Sequence, residues 1–271
     1  MKAVILCGGQ GTRIRDVADD IPKPMIRIGD RPILWHIMRT YGAAGINEFV
    51  LCLGYKSWAI KEYFLNLRAQ LADLTISPGR PGEVDYGAAA DFPEAAWQIV
   101  LAETGLASQT GARLWNVRDR LAGEELFCLT YGDGVADIDV AEVVAFHRSH
   151  GKAATVTGVH PPGRFGVMTV DGAQVTSFSE KPQAGEGLIN GGYFVFSSKV
   201  FDFLDADPGL ILEQQPLMRL ADAGELMLFE HHGFWQPMDT YREWRLLNDL
   251  IVQGGDKAGH WNGGVVLSVA A

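Results

Sequence analysis

The chain has 271 residues, 47% of them hydrophobic and 21% charged, with 33 acidic against 23 basic side chains and a formal net charge of −10. The apolar share excludes a disordered chain, and the acidic balance excludes a surface built for nucleic acid or anionic lipid, which needs a basic footprint. A polyanion could be held only by a few placed cations in a local site.

In chain order, residues 3–7 form an apolar run of the buried-strand type. Asp30 can cap a helix with Pro32 in its first turn. Ile33, Leu34, Ile37, Met38 and Tyr41 then share one face before Gly42 and Gly45 end it. Residues 49–53 predict the next strand and 58–67 a helix. Residues 126–130 predict a strand, 140–150 a helix and 154–159 a strand. This alternation implies an α/β fold with a Rossmann-like, mixed but mostly parallel sheet flanked by helices. Further on, 172–179, 192–196 and 226–229 read as strands with short links, a small β-rich portion, and 241–251 as a helix. The stretch 78–96, rich in Gly, Pro, Ala and acids, predicts an irregular excursion. No repeat or linker divides the chain, so 1–271 reads as a single domain.

The three cysteines, Cys7, Cys52 and Cys128, each lie in an apolar run. An odd number in strand-like segments predicts reduced core thiols, and no CxxC pair suggests thiolate zinc. The apolar start before Gly8 is too short for a signal peptide, and no apolar run approaches the roughly 20 residues of a membrane span. A soluble cytoplasmic protein is the expectation. Trp35 and the Tyr55–Trp58 cluster read as core. The histidines are scattered, His231-His232 lacks helical ligand spacing, and no HExxH or GxSxG occurs.

The chemistry concentrates at strand ends. Residues 3–7 run into Gly8-Gly9-Gln10-Gly11-Thr12-Arg13. Ligands of open α/β sheets bind beyond the carboxyl ends of strands, where glycines let backbone N–H groups approach an anion. The loop is neither the Rossmann GxGxxG nor a P-loop; a phosphate cradle and an ordinary Gly-rich turn both remain open. Lys23 lies in Pro22-Lys23-Pro24, where two prolines fix the backbone around one lysine. It is either a solvated loop lysine or a rigidly presented ligand contact. Asp133, in Tyr131-Gly132-Asp133-Gly134, sits at another strand's carboxyl end, where a carboxylate can reach a metal shared with phosphate oxygens; a turn aspartate is the bland alternative. Asp137-Ile138-Asp139 has the DxD spacing of metal-dependent glycosyltransferases, although Asp139 fits better as a helix cap. Asp239 precedes a helix and is either a cap or a metal ligand.

Gly8-Gly9-Gln10-Gly11-Thr12-Arg13 together with Pro22-Lys23-Pro24-Met25 resembles the signature of the sugar-phosphate nucleotidyltransferases. Later segments narrow the resemblance to their cytidylyl branch: Arg31 to Met38, Gly54-Tyr55-Lys56, Thr110-Gly111-Ala112-Arg113, Thr130 to Asp137, Pro161 to Gly166, Glu180-Lys181-Pro182, Asn190-Gly191-Gly192 and Gly233 to Thr240. The resemblance implies transfer of a cytidylyl group from CTP to α-D-glucose 1-phosphate, giving CDP-glucose and pyrophosphate, with Mg2+ as cofactor. It implies a nucleotide-binding part over about 1–135, a sugar-binding part over about 136–252 and a tail over 253–271.

The roles it implies are these. Arg13 and Lys23 are catalytic. Leu6, Gly8, Gly9, Gly11, Thr12, Arg13, Lys23, Thr110, Gly111, Arg113 and Asp133 bind the nucleotide, with Arg113 at the cytosine. Gly166, Glu180, Lys181, Asn190 and Gly191 bind the sugar phosphate, and Asp133 and Asp239 hold the metal. It also implies a homo-oligomer, often a hexamer. Cys7 and Gln10 depart from the Ala and Leu common in the signature, and 78–98 and the tail match poorly. Transfer to another sugar phosphate or from UTP, a DxD glycosyltransferase, and a non-catalytic sensing subunit are the competing readings.

Overall fold

The apolar run after Met1 becomes the middle of the sheet. The computed structural model describes residues 1–9, 14, 20–80, 82–87, 93–161, 167–171, 173–179 and 187–254. Seven strands pair: β1 (Lys2–Leu6), β2 (Glu48–Leu53), β3 (Gln98–Glu103), β4 (Leu126–Tyr131), β5 (Ala154–Val159), β6 (Ile189–Ser197) and β7 (Leu226–His231). Their spatial order is β7-β5-β6-β4-β1-β2-β3. β1 runs parallel to β2 and β4, β2 to β3, and β5 to β7. β6 alone is antiparallel to its neighbours β4 and β5. The mixed, mostly parallel sheet expected from the alternation is therefore present.

Both faces are covered, which is why the strands read as continuous apolar runs. Ala3 and Ile5 of β1 join Phe49, Leu51 and Cys128 in one core. Val4 and Leu6 point the other way and join Val50, Phe127, Phe194 and Phe196. The first core is roofed by α1 (Ile33–Ala43), α2 (Ser57–Leu65) and α5 (Val140–His150). The second is roofed by α4 (Thr110–Asn116) and α6 (Gln215–Asp222). A short α3 (Leu67–Leu71) follows α2, and α7 (Tyr241–Gly254) buries Leu247 against the first core. The three thiols are free and buried, and burial pushes those of Cys52 and Cys128 up to about 12.

Several local expectations are corrected. Asp30 does not cap α1. Gly29, at φ +65, and Asp30 turn a hairpin between Arg27–Ile28 and Arg31–Pro32. The cap of α1 is Pro32, and Ile33 N–H donates to Ile26 O at 2.9 Å, so the helix's first donor needs no side chain. The apolar face of α1 is buried as expected, and its end carries a Schellman bond, Ile46 N–H to Tyr41 O at 3.1 Å, around Gly45 at φ +77. Residues 58–67 are two helices, α2 and α3, and Trp58 is 63% exposed rather than core. β3 was not expected. The excursion after residue 78 contains a strand, Val84–Tyr86, hairpinned onto Leu74–Ile76. Gln174–Ser179 pairs with Val167–Asp171 in a separate ribbon, while Gly172 lies outside the described residues. Among the described residues no helix is long and apolar enough to cross a membrane.

Candidate active site

Strand order reverses at β1. Its successors β2 and β3 lie on one side and β4 on the other, so a crevice forms where β1 and β4 end. The two ends are stitched: Gly132 N–H donates to Leu6 O at 3.1 Å. A Cβ on Gly132 would lie 3.0 Å from both Leu6 O and Pro24 Cγ. A side chain there would crowd the close approach of β4's end to β1 and to the Lys23 loop, which glycine leaves open.

Lys23 begins a single 3-10 turn, Lys23–Met25, closed by Met25 N–H to Pro22 O at 2.8 Å. Its side chain is 9% exposed and its Nζ donates to Asp133 Oδ2 and to Asp239 Oδ1, each at 2.6 Å. It is thus no solvated loop lysine. Burial pulls its ammonium down, but the Asp133 charge and the hydrogen bonds to Asp133 and Asp239 outweigh that and hold it above the usual lysine range.

Asp133 and Asp239 come from distant parts of the chain. They are aligned by a small ribbon in which Gly134–Ala136 pairs antiparallel with Trp235–Pro237. Met238 N–H then donates to Asp133 O at 2.8 Å, so both acids leave the ribbon at the same end. Asp239 is not the cap of α7. Thr240 and Glu243 form a capping box: Glu243 N–H donates to Thr240 Oγ1 at 3.3 Å and Thr240 N–H to Glu243 Oε2 at 2.9 Å. Asp239 N–H also donates to Glu243 Oε2, at 2.7 Å. Its carboxylate is left to face Asp133. With side chains 37% and 28% exposed, Asp133 and Asp239 retain solvent-facing surface beside Lys23. Two hard carboxylates converging on one point, open to water and phosphate oxygens, fit a Mg2+-type donor set.

The DxD pair serves elsewhere. Asp139 accepts from Ala141 N–H at 2.9 Å and Glu142 N–H at 3.1 Å, capping α5 as expected. Asp137 pairs with His231 Nε2 at 3.0 Å.

A cavity of about 170 Å³ opens over the rim, lined by Tyr131, Asp133, Asn190, Gly191, Trp235 and Asp239 among others. Asn190 and Gly191 therefore share a pocket with both acids. Trp235 Nε1 donates to Gly191 O at 2.7 Å, fixing that wall.

Thr110, Gly111 and Arg113 stand on the other side of the crevice. The Arg113 guanidinium is buried and donates to Leu53 O (2.9 Å), Thr104 Oγ1 (2.7 Å), Gly105 O (2.9 Å) and Gly8 O (3.0 Å). One fork thus fastens the carboxyl ends of β1, β2 and β3. Gly8 and Gly54 are small for this reason, since a Cβ there would meet Arg113 at 2.1 and 2.7 Å. Thr110 Oγ1 donates to Glu213 Oε2 at 2.6 Å and accepts from Leu212 N–H at 2.9 Å.

Glu213 is a site residue that the sequence did not flag. Its second oxygen accepts from Tyr131 OH, which in turn accepts from Asn190 Nδ2 at 3.3 Å. A polar chain, Thr110–Glu213–Tyr131–Asn190, therefore runs from one wall of the crevice to the other. Burial and the Glu213 charge push the Tyr131 phenol well above its usual range, so it stays a donor. The only hint in sequence was an acid two residues before the start of α6, whose second residue is Pro216. Leu6, Gly8 and Gly9 lie at the end of β1 where expected. Gly11, Thr12, Arg13, Gly166, Glu180 and Lys181 lie outside the described residues.

Comparisons with known proteins agree with this geometry. Residues 2–210 match the family described as nucleotidyl transferase. The chain is 47% identical over 255 residues to the glucose-1-phosphate cytidylyltransferase of Salmonella typhi, spanning 94% of this chain and 97% of that one. It matches the enzyme of the same name from Salmonella typhimurium equally well, at 47% identity over 94% of this chain and 97% of that one. Among solved structures, the UTP-bound UGPase of Acinetobacter baumannii shares the fold, with a TM-score of 0.69 at 18% identity and 95% coverage of each chain. Nucleotidyltransferases of this kind generally use a divalent metal. The chain belongs to the nucleotidyltransferase family, within the group formed by the glucose-1-phosphate cytidylyltransferases.

Proposed function

We propose that the chain catalyses CTP + α-D-glucose 1-phosphate → CDP-glucose + pyrophosphate with Mg2+. The observation that carries this is the Lys23 ammonium bound by both Asp133 and Asp239 at the β1/β4 crevice, in a chain 47% identical to enzymes of that name. A sugar-phosphate oxygen forms the new bond to the α-phosphorus, and the bond to the β-phosphate oxygen breaks, its electron pair leaving with pyrophosphate. The attacking phosphate is already anionic, so no general base is needed and catalysis is positioning plus charge stabilisation. Asp133 and Asp239 would hold the Mg2+, which supplies positive charge between two mutually repelling anions. Lys23, fixed between prolines and kept protonated, leaves the carboxylates to bridge the α-phosphate and the incoming group.

Gly8, Gly9, Gly11, Thr12 and Arg13 take the β- and γ-phosphates, with Leu6 beneath them. Thr110, Gly111 and Arg113 form the cytosine side, Arg113 by presenting the strand-end backbone that it fastens. Gly166, Glu180, Lys181, Asn190 and Gly191 take the sugar phosphate. In this reading residues 1–271 form one domain, nucleotide part first, acting in the cytoplasm as a homo-oligomer such as a hexamer. The engagement of Asp137 and Asp139 in an ion pair and a helix cap disfavours the glycosyltransferase reading.

Pyrophosphate release measured across four nucleoside triphosphates and a panel of sugar 1-phosphates, with and without Mg2+, tests the proposal. CTP with glucose 1-phosphate is expected to be fastest, with no acceptor saccharide needed. UTP or dTTP turning over tenfold faster than CTP would overturn it.

A further inference from the structure

At the outer edge of the sheet, β5 and β7 run parallel, with Gly158 opposite Glu230 and Val159 opposite His231. Side chains alternate along a strand, so Glu230 and the residue two further on, His232, project to the same side. His231 projects to the other, where it pairs with Asp137 at 3.0 Å. His160, the first residue beyond β5, completes the group. Its Nε2 lies 3.8 Å from Glu230 Oε1, and His232 Nε2 lies 3.9 Å from the same oxygen. One ligand atom from each of the three lies within 4.8 Å of the others. The imidazoles are stacked, with centroids 6.0 Å apart and planes 23° apart.

These distances are too long for direct hydrogen bonds. They are close to what a small ion needs. Metal–ligand bonds of about 2.0–2.1 Å in a tetrahedron put neighbouring donors about 3.4 Å apart. The side chains are 38%, 46% and 70% exposed, so they can close that gap by rotation without disturbing the core. His160 Nδ1 is buried with no hydrogen-bond partner among the described residues, so no bond to them through that atom holds the ring against such a rotation. We propose that His160, Glu230 and His232 form a site for a divalent transition-metal ion of the zinc class, separate from the carboxylate pair Asp133 and Asp239.

The donor set decides the metal. Two imidazoles and one carboxylate suit Zn2+ and its neighbours, whereas Mg2+ prefers all-oxygen ligands and retains its waters. The two sites therefore discriminate between metals instead of competing for one. Three protein ligands leave a coordination position for water or an exogenous anion. The bound ion ties the end of edge strand β7 to β5. Since Gly158 also faces Asn190 on β6, the site stands two strand spacings, about 10 Å, from the Asn190 wall of the pocket.

The test is Zn2+ titration of the full, chelator-treated chain in millimolar Mg2+, by calorimetry or competition with a chromophoric chelator. One equivalent is expected at micromolar Kd. His160→Gln, Glu230→Gln and His232→Gln should each weaken it at least tenfold, while Asp133→Asn leaves it unchanged. Metal-free melting temperatures verify that the variants fold. X-ray absorption of the zinc-loaded wild type reads the ligands without any variant and should show two imidazoles and oxygen donors. Zinc bound equally by all three variants, no saturable binding below 100 µM, or a spectrum lacking two imidazoles would each overturn the proposal.

Discussion

Replacing Arg113 by methionine keeps most of the side-chain length and removes the fork that joins β1, β2 and β3. Hydrogen bonds to charged groups contribute about 1.5–3 kcal/mol each, so a naive sum over its acceptors would be large. The structure reduces it. Leu53 O retains Thr104 Oγ1 at 2.7 Å and Thr104 N–H at 3.1 Å, and Gly8 O retains Tyr55 N–H at 3.3 Å. Gly105 O alone is left without a donor among the described residues. Gly105 is exposed, so water can take the vacated place at its carbonyl; the weakened bonds at Leu53 and the buried Thr104, less the relieved desolvation of a buried cation, leave a loss of about 2 kcal/mol, within the scale of one hydrogen bond to a charged group. At roughly 2 °C per kcal/mol for a chain of this size, the melting temperature should fall by about 4 °C. Urea melts with unchanged m values measure the loss directly. A loss below about 1 kcal/mol, with KM for CTP raised all the same, would refute the fastening role and leave Arg113 a plain nucleobase contact.

Two other outcomes separate the candidate roles. Asp133→Asn should lower kcat/KM by roughly 10²–10³, the scale of losing an electrostatic partner of the transition state. Asp139→Ala should cost only the α5 cap, about 1 kcal/mol of stability, with turnover retained; steady-state kinetics showing the reverse order would favour the DxD chemistry. His147, on the buried face of α5 with Nδ1 2.9 Å from Thr155 Oγ1, has its imidazole pulled down to about 4, first by burial and then by His150. The unfolded ring titrates near 6.5 and so binds more protons than the folded one between those values. Stability is therefore complete above about pH 6.5 and is lost as pH falls towards 4, by up to about 3 kcal/mol. Urea melts across that range should show a shallower slope for His147→Asn than for wild type; equal slopes would remove His147 from the account.

What was legible in the sequence was local. The apolar run ending in Gly8-Gly9 read correctly as a strand, because β1 is buried on both faces and must be continuous. The Lys23 loop was legible because prolines constrain their neighbours whatever the surroundings. Asp239 was not, since an acid before a helix satisfies the cap rule equally well; only the Thr240–Glu243 box, seen in place, releases its carboxylate. β3 escaped notice because it is an edge strand with exposed and half-buried positions interleaved. Glu213 escaped because its partners Thr110 and Tyr131 are 103 and 82 positions away, and no local pattern encodes them. Trp58 misled because an aromatic residue on a helix is usually core, and here the helix turns it outward.

The Gly134–Ala136 ribbon has a bearing on how the protein is made. Lys23 meets Asp133 across 110 positions and Asp239 across 216. During synthesis the lysine and the first carboxylate emerge well before the second, and Met238 must reach Asp133 before the pair can close. A growing chain released before that point carries Lys23 and Asp133 without the second carboxylate of the proposed metal site. Turnover should therefore switch on as one late event, when the last quarter of the polypeptide docks, so the cell meets no half-active precursor that could consume triphosphate.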